Sequence, residues 1–263
     1  MSWLTSQSAS VLVLGWLGFA IAIAILSRWL VRVVVPLPER DQIQGIAAPL
    51  MPALGATFAV LMALTLASEA GYVRLAQDLV STEAAQASRL AWASTSPGVE
   101  AAPIQSALTA YLTATRTHEW HSIDATEDSD PATSVALAGL ERTVRAAAAD
   151  AGLPTATASE LVTSLDSVTS ARRARLAAAA HDIPGLYVLT LLASGVALIM
   201  NGGALTFRAG PRTSLLVLGL AVVVGLSMAL LFELSGPWTG DLQVSGQPID
   251  TVLRDLQAGF FRP

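Results

Sequence analysis

Cysteine is absent, and so is lysine: all 15 basic residues are arginine. Without cysteine there are no disulfides and no thiolate metal sites, and the redox compartment stays undetermined. Charge is scarce as well. Only 13% of residues are charged, where a soluble domain carries about 25%. With 53% hydrophobic residues and a mean hydropathy of +0.56, the composition is that of a membrane protein. The net charge of −5 argues against a nucleic-acid partner. Three histidines, and no G-x-S-x-G, P-loop or G-x-G-x-x-G motif, leave little for nucleophilic or cofactor chemistry. The expectation is therefore no enzyme and no cofactor. There is no internal repeat and no long linker. The N-terminus lacks a basic n-region and a cleavage site, so its apolar run reads as a retained span.

The chain is organised around Gln42 to about Ala93. It opens as 27 uncharged residues, QIQGIAAPLMPALGATFAVLMALTLAS, and continues without a break into EAGYVRLAQDLVSTEAAQASRLAWAS. The first half reads as a membrane span. The second keeps helical spacing at Tyr72, Leu75, Leu79, Glu83, Gln86 and Leu90 but is polar enough for water. A helix of about 45 residues would be roughly 65–75 Å long, and a bilayer core takes about 30 Å of that. Within the span, Thr57, Leu61, Thr65 and Ser68 fall on one stripe. Such a stripe suits a water path. It equally suits hydroxyls bonded back to their own helix or set at a helix interface.

Three further spans are expected. Val11 to Leu26 forms the first, flanked by Arg28 and Arg32, with Trp3, Trp16 and Trp29 as interfacial anchors and Gly18 and Ala22 as a small-residue contact pair. Ile183 to Phe207 and Thr213 to Phe232 form the third and fourth, the latter with Ala221, Gly225 and Ala229 four apart for tight packing. The expected limits of the four are 9–31, 44–69, 184–206 and 213–233. No charge lies deep inside spans two, three or four, which gives ion-coupled transport little support.

Between the hairpins lie amphipathic helices. Ile104, Leu108, Tyr111 and Leu112 make one apolar stripe. Asp130-Pro131 supplies a cap and first position for Val135, Leu137, Leu140 and Val144, with a stop at Gly152 and Pro154. Thr157 and Glu160 fit a capping box before Leu161, Leu165, Val168 and Leu176. A final short helix begins near Pro248, with Ile249, Val252, Leu253 and Leu256 on its apolar side.

The fold class read from this pattern is all-α: four membrane spans and a long second helix continuing into an extramembrane bundle. The divisions are a first hairpin at 1–69, a bundle at 70–182, a second hairpin at 183–234 and a tail at 235–263. An even span count puts both termini on the side of residues 70–182. Counting arginines in the short loops places that side outside the cell.

Two clusters invite a chemical reading. His118-Glu119-Trp120-His121, with His181-Asp182, has metal-binding residue types, but the second histidine comes one residue too early for H-E-x-x-H. The bland reading is the end of an amphipathic helix, and no metal is assigned. Arg172, Arg173 and Arg175 precede the third span. They can bind anions or lipid headgroups, draw anions toward a pore, or pair with acids of the bundle.

The order of short blocks then carries a resemblance. These blocks are Glu83 on the long helix, Tyr111 with Glu119-Trp120, Arg172-Arg173-x-Arg175-Leu176 and Ile183-Pro184. After the last span come Gly236-Pro237-Trp238-x-Gly240, Val244-Ser245 and Pro248. In this order the chain resembles the bestrophin-like family of bacterial membrane proteins over nearly its whole length. It departs from the family's pattern at Ser235-Gly236-Pro237-Trp238, where an Asp-Arg-Pro-Phe type sequence is usual, and at Leu64 and Leu66, where aromatics are usual. The resemblance implies a pentameric chloride-channel architecture in which the second helix lines a pore past a hydrophobic neck. It also implies a cytosolic middle region, opposite to the arginine count.

The functional expectation is a homo-oligomeric channel of a bacterial membrane, conducting anions along the second helix. Thr57, Leu61, Thr65 and Ser68 would face the path, and Arg172 to Arg175 would shape the potential at its mouth. The alternative is a non-conducting scaffold, sensor or accessory subunit of a larger membrane complex. Both have the lipid bilayer as partner, and neither involves nucleic acid.

Overall fold

The computed structural model describes residues 9–34, 36, 40–120, 130–179, 183–206, 211–236, 238 and 243–262. Among them are eight α-helices and one π-helical turn, with no strand. The helices are α1 (Ala9–Val34), α2 (Arg40–Ala93), α3 (Ala101–Ala114), α4 (Pro131–Ala148), α5 (Thr155–Ala179), α6 (Gly185–Thr206), α7 (Pro211–Leu234) and α8 (Gln247–Gln257). The π turn, Thr115–Glu119, follows α3 directly. Four helices are long and apolar enough to cross a membrane: Ser10–Val34, Gly45–Ala93, Gly185–Thr206 and Ser214–Leu234. The all-α, four-span architecture with a long second helix is thus present. α2 runs 54 residues, with Pro49 and Pro52 inside it.

The chain divides into two compact units, and α2 contributes to both. Unit one holds residues 1–71, 182–236 and 240–242. Its core is built by Leu12, Ala20 and Ala24 of α1, Phe58 and Met62 of α2, Leu191 and Ile199 of α6, and Ala221, Val224 and Met228 of α7. α7 packs on α1 through small residues, as its spacing predicts: Ala221 and Ala229 are buried, and a Cβ on Gly225 would stand 3.1 Å from the Trp16 carbonyl oxygen. The small pair of α1 itself, Gly18 and Ala22, is exposed instead. Ala20, Ala24 and Ser27 form its packed face. Trp16 is half-buried and stacks on Phe232, with centroids 5.1 Å apart. Trp3 lies outside the described residues.

Unit two holds residues 72–181, 237–239 and 243–263. Its helices start and stop for local reasons. Asp130 caps α4, its Oδ1 accepting from the Thr133 amide at 2.8 Å, with Pro131 in the first turn. That bond holds the Asp130 carboxyl below its ordinary range. α5 begins at Thr155, directly after Pro154, so Thr157 is already inside the helix and cannot serve as the expected cap. The chain leaves α2 through Gly98 at φ +86, a backbone region that glycine enters without strain. Ile104, Leu108, Tyr111 and Leu112 are all fully buried, as are Leu161, Leu165 and Val168. Val135 is exposed. On α2 the packed face is rotated from the expected stripe: Ala76, Val80, Glu83, Ala87 and Leu90 are buried and Leu75 is half-exposed.

Candidate functional site

Within unit one, α2 shows two faces with helical period. Ala47, Phe58, Met62 and Glu69 are buried, and Met51, Leu54, Leu61, Thr65 and Leu66 are half-buried beside them. Ala53, Ala56, Thr57, Val60, Leu64, Ala67 and Ser68 are exposed. The expected stripe is therefore split. Thr57 and Ser68 lie on the open face, while Leu61 and Thr65 lie on its margin, with Leu61 packed against the core. Thr57 Oγ1 donates to the Ala53 carbonyl at 2.9 Å, and Thr65 Oγ1 to the Leu61 carbonyl at 2.8 Å. These bonds let the hydroxyls sit in an apolar span at low cost. Each oxygen keeps acceptor capacity for water, and the hydroxyl hydrogen can rotate outward. The face carries no charge from Gly45 to Ser68.

Unit two contains a buried ionic network. Tyr111 on α3 donates its hydroxyl to Glu83 Oε1 on α2. Arg175 on α5 reaches Glu83 Oε2 through Nε and Glu119 Oε2 through Nη2, both at 2.5 Å. Arg172, one turn earlier, donates to Glu119 Oε1 at 2.6 Å and to Ser134 Oγ at 3.3 Å. The i, i+3 spacing puts both guanidiniums on one face of α5. The widened π turn carries Glu119 inward together with Trp120, over which Arg116 stacks at 4.7 Å. Arg116 in turn forms a bidentate pair with Asp250 of α8, at 2.6 and 3.0 Å.

Two carboxylates and two guanidiniums sum to zero charge, and each carboxylate oxygen has a donor. That is the condition under which buried charges persist. Burial, and then the facing Glu83 carboxylate, push the Tyr111 phenol well above its ordinary range. Burial alone would lower Arg175, but Glu83 and Glu119 outweigh it and hold its proton more tightly than usual.

Of the readings open to Arg172, Arg173 and Arg175, pairing with acids of the bundle is the one seen for two of them. Arg172 and Arg175 are buried and committed to Glu119 and Glu83, and Arg173 alone is exposed. Structural pairing wins because a guanidinium beside a carboxylate in a dry interior has no better partner. In HEWH, Glu119 is an ion-pair partner and His118 is exposed. His121, His181 and Asp182 lie outside the described residues. Among the described residues no group of three His, Asp or Glu is placed to hold a metal. Glu233, near the end of α7, is buried.

A family model described as Bestrophin-like domain matches residues 18–249. The chain belongs to the bestrophin-like family. Solved structures agree with this bestrophin-like fold. A point mutant of a bacterial bestrophin homologue from Klebsiella pneumoniae superposes with a TM-score of 0.69 at 16% identity, covering 95% of this chain and 100% of that one. The homologue from the same organism solved by Zn-SAD phasing gives 0.70 at 16% identity, covering 96% and 98%. A crystal structure described only as a mutant membrane protein gives 0.73 at 16% identity, covering 95% and 98%. At such identity the likeness is one of fold. No curated protein matches the chain.

Glu83, Tyr111, Glu119, Trp120, Arg172 and Arg175, which sequence blocks had singled out one by one, converge in this bestrophin-like bundle. Ser134, Asp250 and Arg116 complete the surroundings and carry no signal of their own in the sequence. Their partners are 38 to 134 positions away along the chain.

Proposed function

We propose that this bestrophin-like chain assembles as a homo-oligomer in a bacterial membrane and forms an ion channel, with α2 lining the path and anions preferred. The observation that carries the reading is the open face of α2. It is uncharged, yet it offers hydroxyls at Thr57 and Ser68, with Thr65 and the apolar Leu61 on its margin. Copies arranged about an axis would turn these faces toward one another. Leu61 would then be the narrow point, closing by dewetting. Arg74, Arg89 and Arg173 are exposed and remain available to raise local anion concentration. Arg172 and Arg175 would serve by holding the bundle rigid. No catalytic residue and no cofactor is assigned. Both termini share the side of residues 70–182 in this reading.

The rival is a non-conducting scaffold. The alanines of the same face, Ala53, Ala56 and Ala67, also suit close contact with another helix. The test is purified protein in liposomes, with flux measured for chloride, potassium and sodium and subunit number read by native mass measurement. A discrete oligomer passing chloride supports the channel. Silence across ions, pH and voltage, with one fixed partner co-purifying, supports the scaffold.

A further inference from the structure

The first turns of helix α2 lie in unit one and are interrupted by proline, at Pro49 and Pro52. Each lacks the N–H that would reach back four residues, to the Gly45 and Ala48 carbonyls respectively, and each ring crowds the turn before it. Two internal bonds are thus missing within two turns. A donor from another helix arrives at this place. Asn201 of α6 donates Nδ2 to the Ala47 carbonyl at 2.9 Å and rests that nitrogen 3.4 Å from Met51 Sδ.

The neighbours of Asn201 are themselves anchored. Ser27 Oγ of α1 donates to the Met200 carbonyl at 3.1 Å. A Cβ on Gly202 would stand 3.1 Å from Leu220 of α7, and one on Gly203 would overlap Ser27. Residues 200–203 are therefore fixed against α1 and α7, so Asn201 projects its amide from a rigid platform onto the one proline-weakened stretch of α2.

We propose that Asn201 is a positioning residue: a latch that holds residues 45–51 of α2 against α6, and whose release lets those turns move independently of the rest of the helix. This rests on the channel reading in one respect. If α2 lines a path, the latch sets the balance between its narrow and wide states. The latch itself stands without conduction.

The test is a double-mutant cycle read by amide hydrogen exchange in nanodiscs. Asn201→Leu keeps the branched side-chain shape and removes the donor, while Pro49→Ala with Pro52→Ala restores the two missing backbone donors. With the latch, Asn201→Leu speeds exchange at the shared amides of residues 45–56 tenfold or more, with α6 and α7 unchanged. In the proline-free background it speeds the same amides less than threefold. A side chain that merely fills space would give the same factor in both backgrounds, and that result overturns the proposal. So does unchanged exchange in Asn201→Leu alone. Should that variant not fold, Asn201→Ala enters the same cycle, and Pro49→Ala with Pro52→Ala by itself must slow exchange at these amides. Flux from the same preparations is a separate reading. If even wild type is silent while the coupling holds, the channel fails and the latch survives.

Discussion

Arg175 and Glu83 stand 92 residues apart in the chain, yet Nε of the one lies 2.5 Å from Oε2 of the other and both side chains are buried. The pair joins the second half of α2 to α5. Because Arg175 also holds Glu119, its loss leaves Glu83 buried without a guanidinium and Glu119 with Arg172 alone. Breaking a buried pair from one side costs about 3–5 kcal/mol. Arg175→Ala should therefore lower the melting temperature sharply, while Arg173→Ala, an exposed neighbour, should stay within about 0.5 kcal/mol. Arg175→Lys should recover little, since a point charge cannot fork to two acids. Thermal melts in detergent decide it.

Tyr111 gives the network a pH signature. Its folded pKa is raised by burial and by Glu83, above an unfolded value of about 10. Its contribution is complete below pH ~10 and is lost as pH rises from there through the folded value. Wild type should lose stability above pH 10 more steeply than Tyr111→Phe, whose own cost near neutrality is about 1.5–3 kcal/mol for a hydrogen bond to a charged group. Parallel melting curves from pH 8 to 11.5 would show no such convergence if the phenol were solvated.

Gly203 tests the packing of unit one. An added Cβ would lie 1.8 Å from Ser27 Oγ and 2.9 Å from Ser27 Cβ, so Gly203→Ala should cost about 1–3 kcal/mol through overpacking. Adding Ser27→Gly removes both colliding atoms, though also the Ser27–Met200 bond, so the double variant should lose clearly less than the sum of the two single variants. At Gly225 the two nearest atoms are backbone, the Trp16 carbonyl oxygen at 3.1 Å and Leu17 Cα at 3.2 Å, with Leu17 Cδ2 next at 3.3 Å, so trimming the Leu17 side chain should not fully rescue Gly225→Ala. Melting temperatures of the single and double variants compare the two cases.

Much of the architecture was legible because membrane spans and caps are local signals. Uncharged runs marked four helices to within a few residues, and Asp130-Pro131 marked the start of α4. The face of α2 in unit two was misread, because its packed side is mostly alanine. Ala76, Ala84, Ala87 and Ala91 are buried there, and a hydropathy stripe weighted toward leucine pointed elsewhere. The arginine cluster carried its charge openly but not its partners. Glu83 and Glu119 lie 92 and 56 positions from Arg175, and nothing local says whether such charges meet water or each other. Only the order of family blocks put these residues in one set. The latch at Asn201 was invisible for the same reason.

Leu61 separates path from packing. It is half-buried against the unit-one core. In the channel reading Leu61→Ala widens an apolar constriction and raises chloride flux. If Leu61 is only a packing residue, the variant loses stability, by up to about 2–3 kcal/mol, with no flux in either form. Flux and melting on one preparation read both.

The most direct measurement of a path along α2 uses the absence of native cysteine. Thr57→Cys and Ser68→Cys, each in liposomes, are exposed to a charged, membrane-impermeant thiol reagent while flux is recorded. Leu216→Cys, exposed on α7, serves as a membrane-facing control. A water-filled path predicts rapid modification at Thr57→Cys and Ser68→Cys with loss of flux, and neither effect at Leu216→Cys. Modification of Thr57→Cys and Ser68→Cys no faster than Leu216→Cys, with flux untouched, would contradict it.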